Sequence, residues 1–174
     1  SLFAASASTP LAELWRPTAL SEVIGQDHLS GEDGPIARMV TSGKVGSFIL
    51  WGPPGVGKTT IARLVAQQSG MRFVQLSAVM SGIADLRKVF EEAQKDRVVG
   101  RQTALFVDEL HRFNRTTQDA MLPHVENGTV VLIGATTENP SFSLVSALLS
   151  RVKVFTLEPL GAEASELLLQ RAEK

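Results

Sequence analysis

Gly52-Pro53-Pro54-Gly55-Val56-Gly57-Lys58-Thr59 is the stretch that decides the fold of this 174-residue chain. It matches G-x-x-x-x-G-K-S/T in full, directly after the apolar run Phe48-Ile49-Leu50-Trp51 and directly before a segment with Ile61, Leu64 and Val65 at helical spacing. A strand, a glycine-rich turn and a helix in that order form a phosphate-binding loop. The glycines let backbone N–H groups turn inward around phosphate oxygens, and the helix N-terminus adds its partial positive charge. Lys58 supplies a compact charge for the β- and γ-phosphates, and the Thr59 hydroxyl is a ligand for Mg²⁺. The candidate nucleotide contacts are therefore Gly52, Pro53, Pro54, Gly55, Val56, Gly57, Lys58, Thr59 and the following Thr60.

Downstream, Asp108-Glu109 closes the apolar run Ala104-Leu105-Phe106-Val107. A carboxylate at such a strand end can hold Mg²⁺, which makes Asp108 the second metal candidate beside Thr59. Glu109 next to it is suited to polarise an attacking water as a general base. The chain has no Asn-Lys-x-Asp segment of the kind that reads guanine, so ATP is favoured over GTP as the nucleotide.

Apolar runs bounded by turn residues predict strands at 47–51, 73–77, 103–108, 130–136 and 152–157. Near-continuous hydrophobicity suits a parallel sheet covered on both faces. Between the runs lie helical patterns, including Leu86, Val89, Phe90 and Ala93. Thr116 with Asp119 resembles a capping box opening a further helix, and 143–150 predicts a short fourth one. Strand and helix alternate, which predicts a doubly wound α/β fold with a parallel five-stranded sheet. Hydrophobic residues make up 44% of the chain, which excludes a disordered polymer. The absence of cysteine removes disulfide frameworks and thiolate zinc sites. A net charge of −1 gives no overall basic field, so any nucleic-acid contact must come from a local patch or from assembly. No run approaches the length of a membrane span, and the expected location is cytoplasmic, nucleoid-associated if the source is bacterial.

Three further segments narrow the class. Trp15-Arg16-Pro17 with Val23-Ile24-Gly25-Gln26 resembles the segment that AAA+ ATPases lay against adenine. Ile133-Gly134-Ala135-Thr136-Thr137 resembles the strand that carries their polar sensor. Leu148-Leu149-Ser150-Arg151 resembles the element whose arginine reaches a neighbouring subunit's ATP. Their order is that of the clamp-loader branch. Within it, Asp108-Glu109-Leu110-His111-Arg112-Phe113-Asn114, Leu122-Pro123-His124-Val125-Glu126 and Glu138-Asn139-Pro140-Ser141-Phe142 resemble the replication-associated recombination protein A family, which includes the Werner helicase-interacting ATPase. The likeness covers 11–160.

That resemblance implies a P-loop AAA+ core at 11–160, preceded by a flexible tail at 1–10 and followed at 161–174 by the start of a helical lid that the chain truncates. It implies a DNA-stimulated ATPase acting at stalled replication forks in replication, recombination and repair. Its partners would be DNA with single-stranded ends, gaps or forks, replication or repair proteins, and other copies of itself in a ring. Ile24 and Gly25 would contact adenine, Thr137 would be the sensor, and Arg151 would act in trans, so the isolated segment should be monomeric and slow. The alternatives are a motor of the Holliday-junction branch-migration type and an ATP-gated scaffold that recruits partners without turnover. His111 and His124 lack the spacing of a zinc pair and are expected to pack or hydrogen-bond near the site. Trp15 and Trp51 are expected as core anchors. Arg112, Asn114 and Arg115 follow the acids on a loop suited either to DNA or to solvent.

Overall fold

The computed structural model describes residues 26–31 and 34–159. The segment around Trp15, the candidate adenine contacts Ile24 and Gly25, the 1–10 tail and the 161–174 helix lie outside the described residues. Two short helices, α1 (Asp27–Ser30) and α2 (Pro35–Ser42), precede β1 (Phe48–Trp51). Then come α3 (Lys58–Gln68), β2 (Arg72–Ser77), α4 (Ile83–Val98), β3 (Thr103–Asp108) and a 3₁₀ turn over Leu110–Arg112. They are followed by α5 (Arg115–Glu126), β4 (Val130–Thr136), α6 (Pro140–Ser143), α7 (Ser146–Leu149) and β5 (Lys153–Thr156).

The five strands form one parallel sheet in the order β2-β3-β4-β1-β5. Successive side chains alternate between its faces. Phe48, Leu50, Phe106 and Ile133 pack on one face with Ile61, Leu64 and Val65 of α3 and Ile36 of α2. Ile49, Leu105, Val107 and Leu132 pack on the other with Leu86, Val89 and Phe90 of α4, Met121 of α5 and Leu148 of α7. Both faces of β1, β3 and β4 are thus covered, which explains their unbroken apolar sequence. β2 and β5 are edges, and their burial is partial.

Several local expectations are corrected. The N-cap of α5 is Asn114, whose side chain accepts from the Thr117 N–H at 2.8 Å, and not a Thr116–Asp119 box. The helix expected at 143–150 is two one-turn pieces, because Leu144 and Val145 between them are extended. Trp51 is half-buried at the end of β1 rather than a core anchor. His124 lies near the C-terminal end of α5, the end away from the acids, with its ring stacked on Phe90 at 3.9 Å between centroids.

The His124 Nδ1 is buried without a hydrogen-bond partner, and desolvation pushes the imidazole pKa below its ordinary value. Just below the ordinary value the unfolded chain therefore binds more protons here than the folded one, and stability should fall as pH drops through about 6.5. His124→Phe keeps a ring against Phe90 and cannot titrate. Its urea midpoint should gain on wild type as pH is lowered from about 7 to about 5.5. A gap that stays constant across that range would contradict this account.

Candidate functional site

β1 and β4 are neighbours whose chains leave the sheet in opposite directions, β1 toward β2 at one edge and β4 toward β5 at the other. Such a divergence opens a crevice at the carboxyl ends of the two strands. The cleft there measures about 660 Å³ and is lined by Pro54, Gly55, Gly57, Lys58, Thr59 and Thr60 from the loop and α3. Asp108 and Glu109 face it from β3, and Thr136 and Thr137 from β4.

The loop is shaped by what surrounds it. The Gly52 N–H donates to the Thr136 carbonyl at 3.1 Å, so the chain leaves β1 still tied to β4. A Cβ at Gly52 would sit 2.9 Å from both the Cβ and the backbone oxygen of Leu157, which leaves room only for glycine. Gly55 and Gly57 have φ of 78° and 99°, in the left-handed region that side chains disfavour. Val56 turns into the core, 4% exposed. Gly52, Pro53 and Val56 thus build the loop without lining the cleft. No side chain caps α3, so its first N–H groups remain available to an anion.

Lys58 Nζ donates to the carbonyl oxygens of Gly52 at 2.5 Å and Pro53 at 3.2 Å. Burial lowers its pKa, and the nearby Asp108 and Glu109 carboxylates push the other way. The ammonium is therefore partly stripped of water and held among acceptors that a polyanion would replace. The donor set also fits a hard divalent cation, since the Thr59 hydroxyl and the Asp108 carboxylate offer oxygen ligands to one cleft.

Glu109 has φ 52° and ψ 47°, the only left-handed non-glycine conformation among the described residues. It opens the 3₁₀ turn, with its carbonyl accepting from the Arg112 N–H at 2.8 Å and its N–H donating to Asp108 Oδ1 at 3.0 Å. Thr136 is 1% exposed, and its hydroxyl meets His111 Nδ1 at 2.8 Å and the Glu138 N–H at 3.0 Å. Thr137 is exposed.

Arg151 does not join this cleft. It precedes β5, whose first residue pairs with Phe48, so it lies at the edge where strands begin, while the phosphate loop lies where they end. There its guanidinium donates to the Ala147 carbonyl at 2.7 Å, to Ser150 Oγ at 3.1 Å and to Glu126 Oε1 at 2.7 Å. Arg112 and Arg115 are exposed beside the acids, whereas the Asn114 side chain is spent on its cap.

The pairing of two buried amides escaped sequence reasoning. Gln26 pairs in both directions with the Glu158 backbone, at 2.8 and 3.0 Å, and so fastens the start of the described chain beside the exit of β5. Gln118 donates to the carbonyls of Phe113 and Ser143 and accepts from the Val145 N–H, joining α5 to the segment that follows β4. The one signal for Gln118 is a polar residue on the buried stripe of α5, beside Thr117 and Met121.

This geometry is that of a nucleotide-binding α/β domain, and the chain belongs to the AAA family, the ATPases associated with various cellular activities, whose sequence profile matches residues 48–160. Within that class it is similar to replication-associated recombination protein A of Haemophilus influenzae, at 49% identity over 98% of this chain and 38% of the relative. It is 55% identical to the protein of that name from Coxiella burnetii over 87% of the chain and 34% of the relative. The ATPase WRNIP1 of Dictyostelium discoideum is 49% identical over 93% of the chain and 18% of its own length. The chain therefore spans little more than a third of the bacterial relatives. Among solved structures, the Thermotoga maritima RuvB Holliday junction branch migration motor superposes with a TM-score of 0.70 at 26% identity, over 90% of this chain and 53% of that one. Among the described residues no helix is long and apolar enough to cross a membrane.

The turn that carries Glu109 depends on Gly134. A Cβ there would lie 2.6 Å from Leu110 Cδ2 and 2.7 Å from Ile49 Cδ1, both in fully buried side chains. Gly134→Ala should cost roughly 1–3 kcal/mol through overpacking. Equilibrium urea unfolding checks this, and an unchanged midpoint would mean that Leu110 repacks freely.

Proposed function

We propose that this chain is the ATP-hydrolysing core of a longer DNA-dependent ATPase that works at stalled replication forks in replication, recombination and repair. In this reading residues 11–160 are the core and 161–174 begin a helical lid. The observation that carries it is the meeting of Lys58, Thr59, Asp108, Glu109 and Thr137 on one cleft while Arg151 lies at the far edge of the sheet. Identities of 49–55% to replication-associated recombination protein A support the fork-associated role over the junction-motor one. The likeness to RuvB is at 26% identity and supports the shared fold.

The loop N–H groups and Lys58 hold the β- and γ-phosphates, and Ile24 and Gly25, outside the described residues, are the proposed adenine contacts. Thr59 and Asp108 would hold Mg²⁺, which would offset phosphate charge when bound. Glu109 takes the proton of the attacking water as its oxygen bonds to the γ-phosphorus, while the bond from that phosphorus to the β–γ bridging oxygen breaks and ADP leaves. Thr137, the exposed threonine of the pair, orients that water or the γ-phosphate, because the Thr136 hydroxyl is already engaged. Arg151 stabilises the charge that develops on a neighbour's γ-phosphoryl group, a contribution of about 10³ to 10⁵ in rate. Its distance from its own cleft supports action in a homo-oligomeric ring, and this segment alone should hydrolyse ATP very slowly. Arg112 and Arg115, exposed on the segment that follows the acids, are the proposed cations for DNA.

The test mixes full-length Arg151→Ala with full-length Lys58→Ala, each inactive alone. Interfaces that combine an intact loop from one subunit with an intact arginine from the other should restore hydrolysis. Mixed assemblies that stay inactive, or an Arg151→Ala protein that turns over at the normal rate, would contradict the trans assignment.

A further inference from the structure

We propose that the hydrogen bond between His111 and Thr136 is a clamp that aims the Glu109 carboxylate, so that both are positioning residues for hydrolysis. The inference rests on Glu109 as the base. Its starting point is backbone strain. A side chain in the left-handed region is strained and persists only where its surroundings over-determine it. Glu109 is in that region, at the first step of the turn that leaves β3.

Two anchors hold the turn against β4. Leu110 is fully buried over Gly134, where even one added carbon would collide with it. His111, with a side chain 7% exposed, meets the Thr136 hydroxyl at 2.8 Å. Consecutive residues of the turn are thus pinned to residues 134 and 136 of one strand, and the direction of the residue just before them follows. The Leu110 anchor is apolar and carries no directional bond. The hydrogen bond is directional and fixes the rotation of the turn about that contact.

The Thr136 hydroxyl has one hydrogen and is used from both sides. It accepts from the Glu138 N–H at 3.0 Å, and its proton goes either to His111 Nδ1 or to the Glu138 carbonyl at 3.2 Å. In the first case His111 carries its proton on Nε2, which lies 3.9 Å from Glu138 Oε1. In the second, Nδ1–H donates to Thr136. The bond between the two side chains stands in both arrangements. Glu138 follows Thr137 directly, so the same network fixes the backbone on either side of the exposed threonine. One clamp therefore sets the base and the polar group at the end of the neighbouring strand together.

The experiment measures steady-state hydrolysis and affinity for a fluorescent ATP analogue in the full-length protein. The variants are His111→Ala, His111→Asn, Thr136→Val, Thr136→Ser, the His111→Ala/Thr136→Val pair and Glu109→Gln. An asparagine amide occupies the place of Nδ1, and serine keeps the hydroxyl. Misaiming a reacting group by about an ångström costs roughly 10²-fold. His111→Ala and Thr136→Val should each lose about that much in kcat, with analogue affinity within about twofold of wild type. Asn and Ser should recover most of the loss, and the double variant should fall no further than the worse single one. If His111→Ala fails to fold, the contrast of Thr136→Val with Thr136→Ser carries the same test. The clamp is overturned if His111→Ala keeps normal kcat while Glu109→Gln is inactive, if the two losses multiply, or if affinity falls in step with kcat. Glu109→Gln at wild-type rate would instead overturn the base assignment beneath it.

Discussion

β1 is wedged between β4 and β5, strands that form much later in the chain, and the position of the phosphate loop depends on that packing. The loop leaves β1 with the Gly52 N–H tied to Thr136 on one side and its α-carbon pressed against Leu157 on the other. Neither contact is local, so the cleft exists only once the sheet is complete. The same wedge brings Asp108 from β3 and Thr137 from β4 to the strand ends where the loop emerges. The parallel register makes this possible, because every strand delivers its carboxyl end to one edge.

Within that frame the electrostatics favour exchange. Lys58 is drawn between burial, which disfavours its charge, and two carboxylates, which favour it. Its hydrogen bonds go to carbonyl oxygens of its own loop. A phosphate group replaces neutral acceptors by charged ones, so the ammonium exchanges charge–dipole contacts for an ion pair. The uncapped start of α3 adds further N–H donors to the same point. The arrangement asks for a polyanion, and with Thr59 and Asp108 opposite, for a polyanion that carries a hard cation.

The strands and the loop were legible in the sequence because their signals are local. Apolar runs marked β1, β3 and β4 to within a residue at each end, since these strands are buried on both faces. The sensor and the finger were assigned through resemblance; of the two threonines Thr137 is exposed and Thr136 buried. What stayed hidden depends on contacts between distant residues. Gln26 finds its partner 132 positions away, and nothing near it signals that pairing. The break between α6 and α7 arises because the Val145 N–H is taken by Gln118, 27 residues earlier, so it is unavailable to a continuous helix. The Asn114 cap competes with an equally plausible Thr116–Asp119 pattern, and only the turn after Glu109 fixes where α5 starts.

The central claim is that the loop at the end of β1 binds ATP through the Lys58 ammonium. Equilibrium titration of wild-type and Lys58→Ala proteins with a fluorescent ATP analogue in Mg²⁺ tests it most directly, with circular dichroism verifying that both are folded. The account predicts saturable binding by wild type and its loss, by roughly 10²-fold or more in affinity, when the compact charge facing the β- and γ-phosphates is removed. Equal affinity in two equally folded proteins would contradict it.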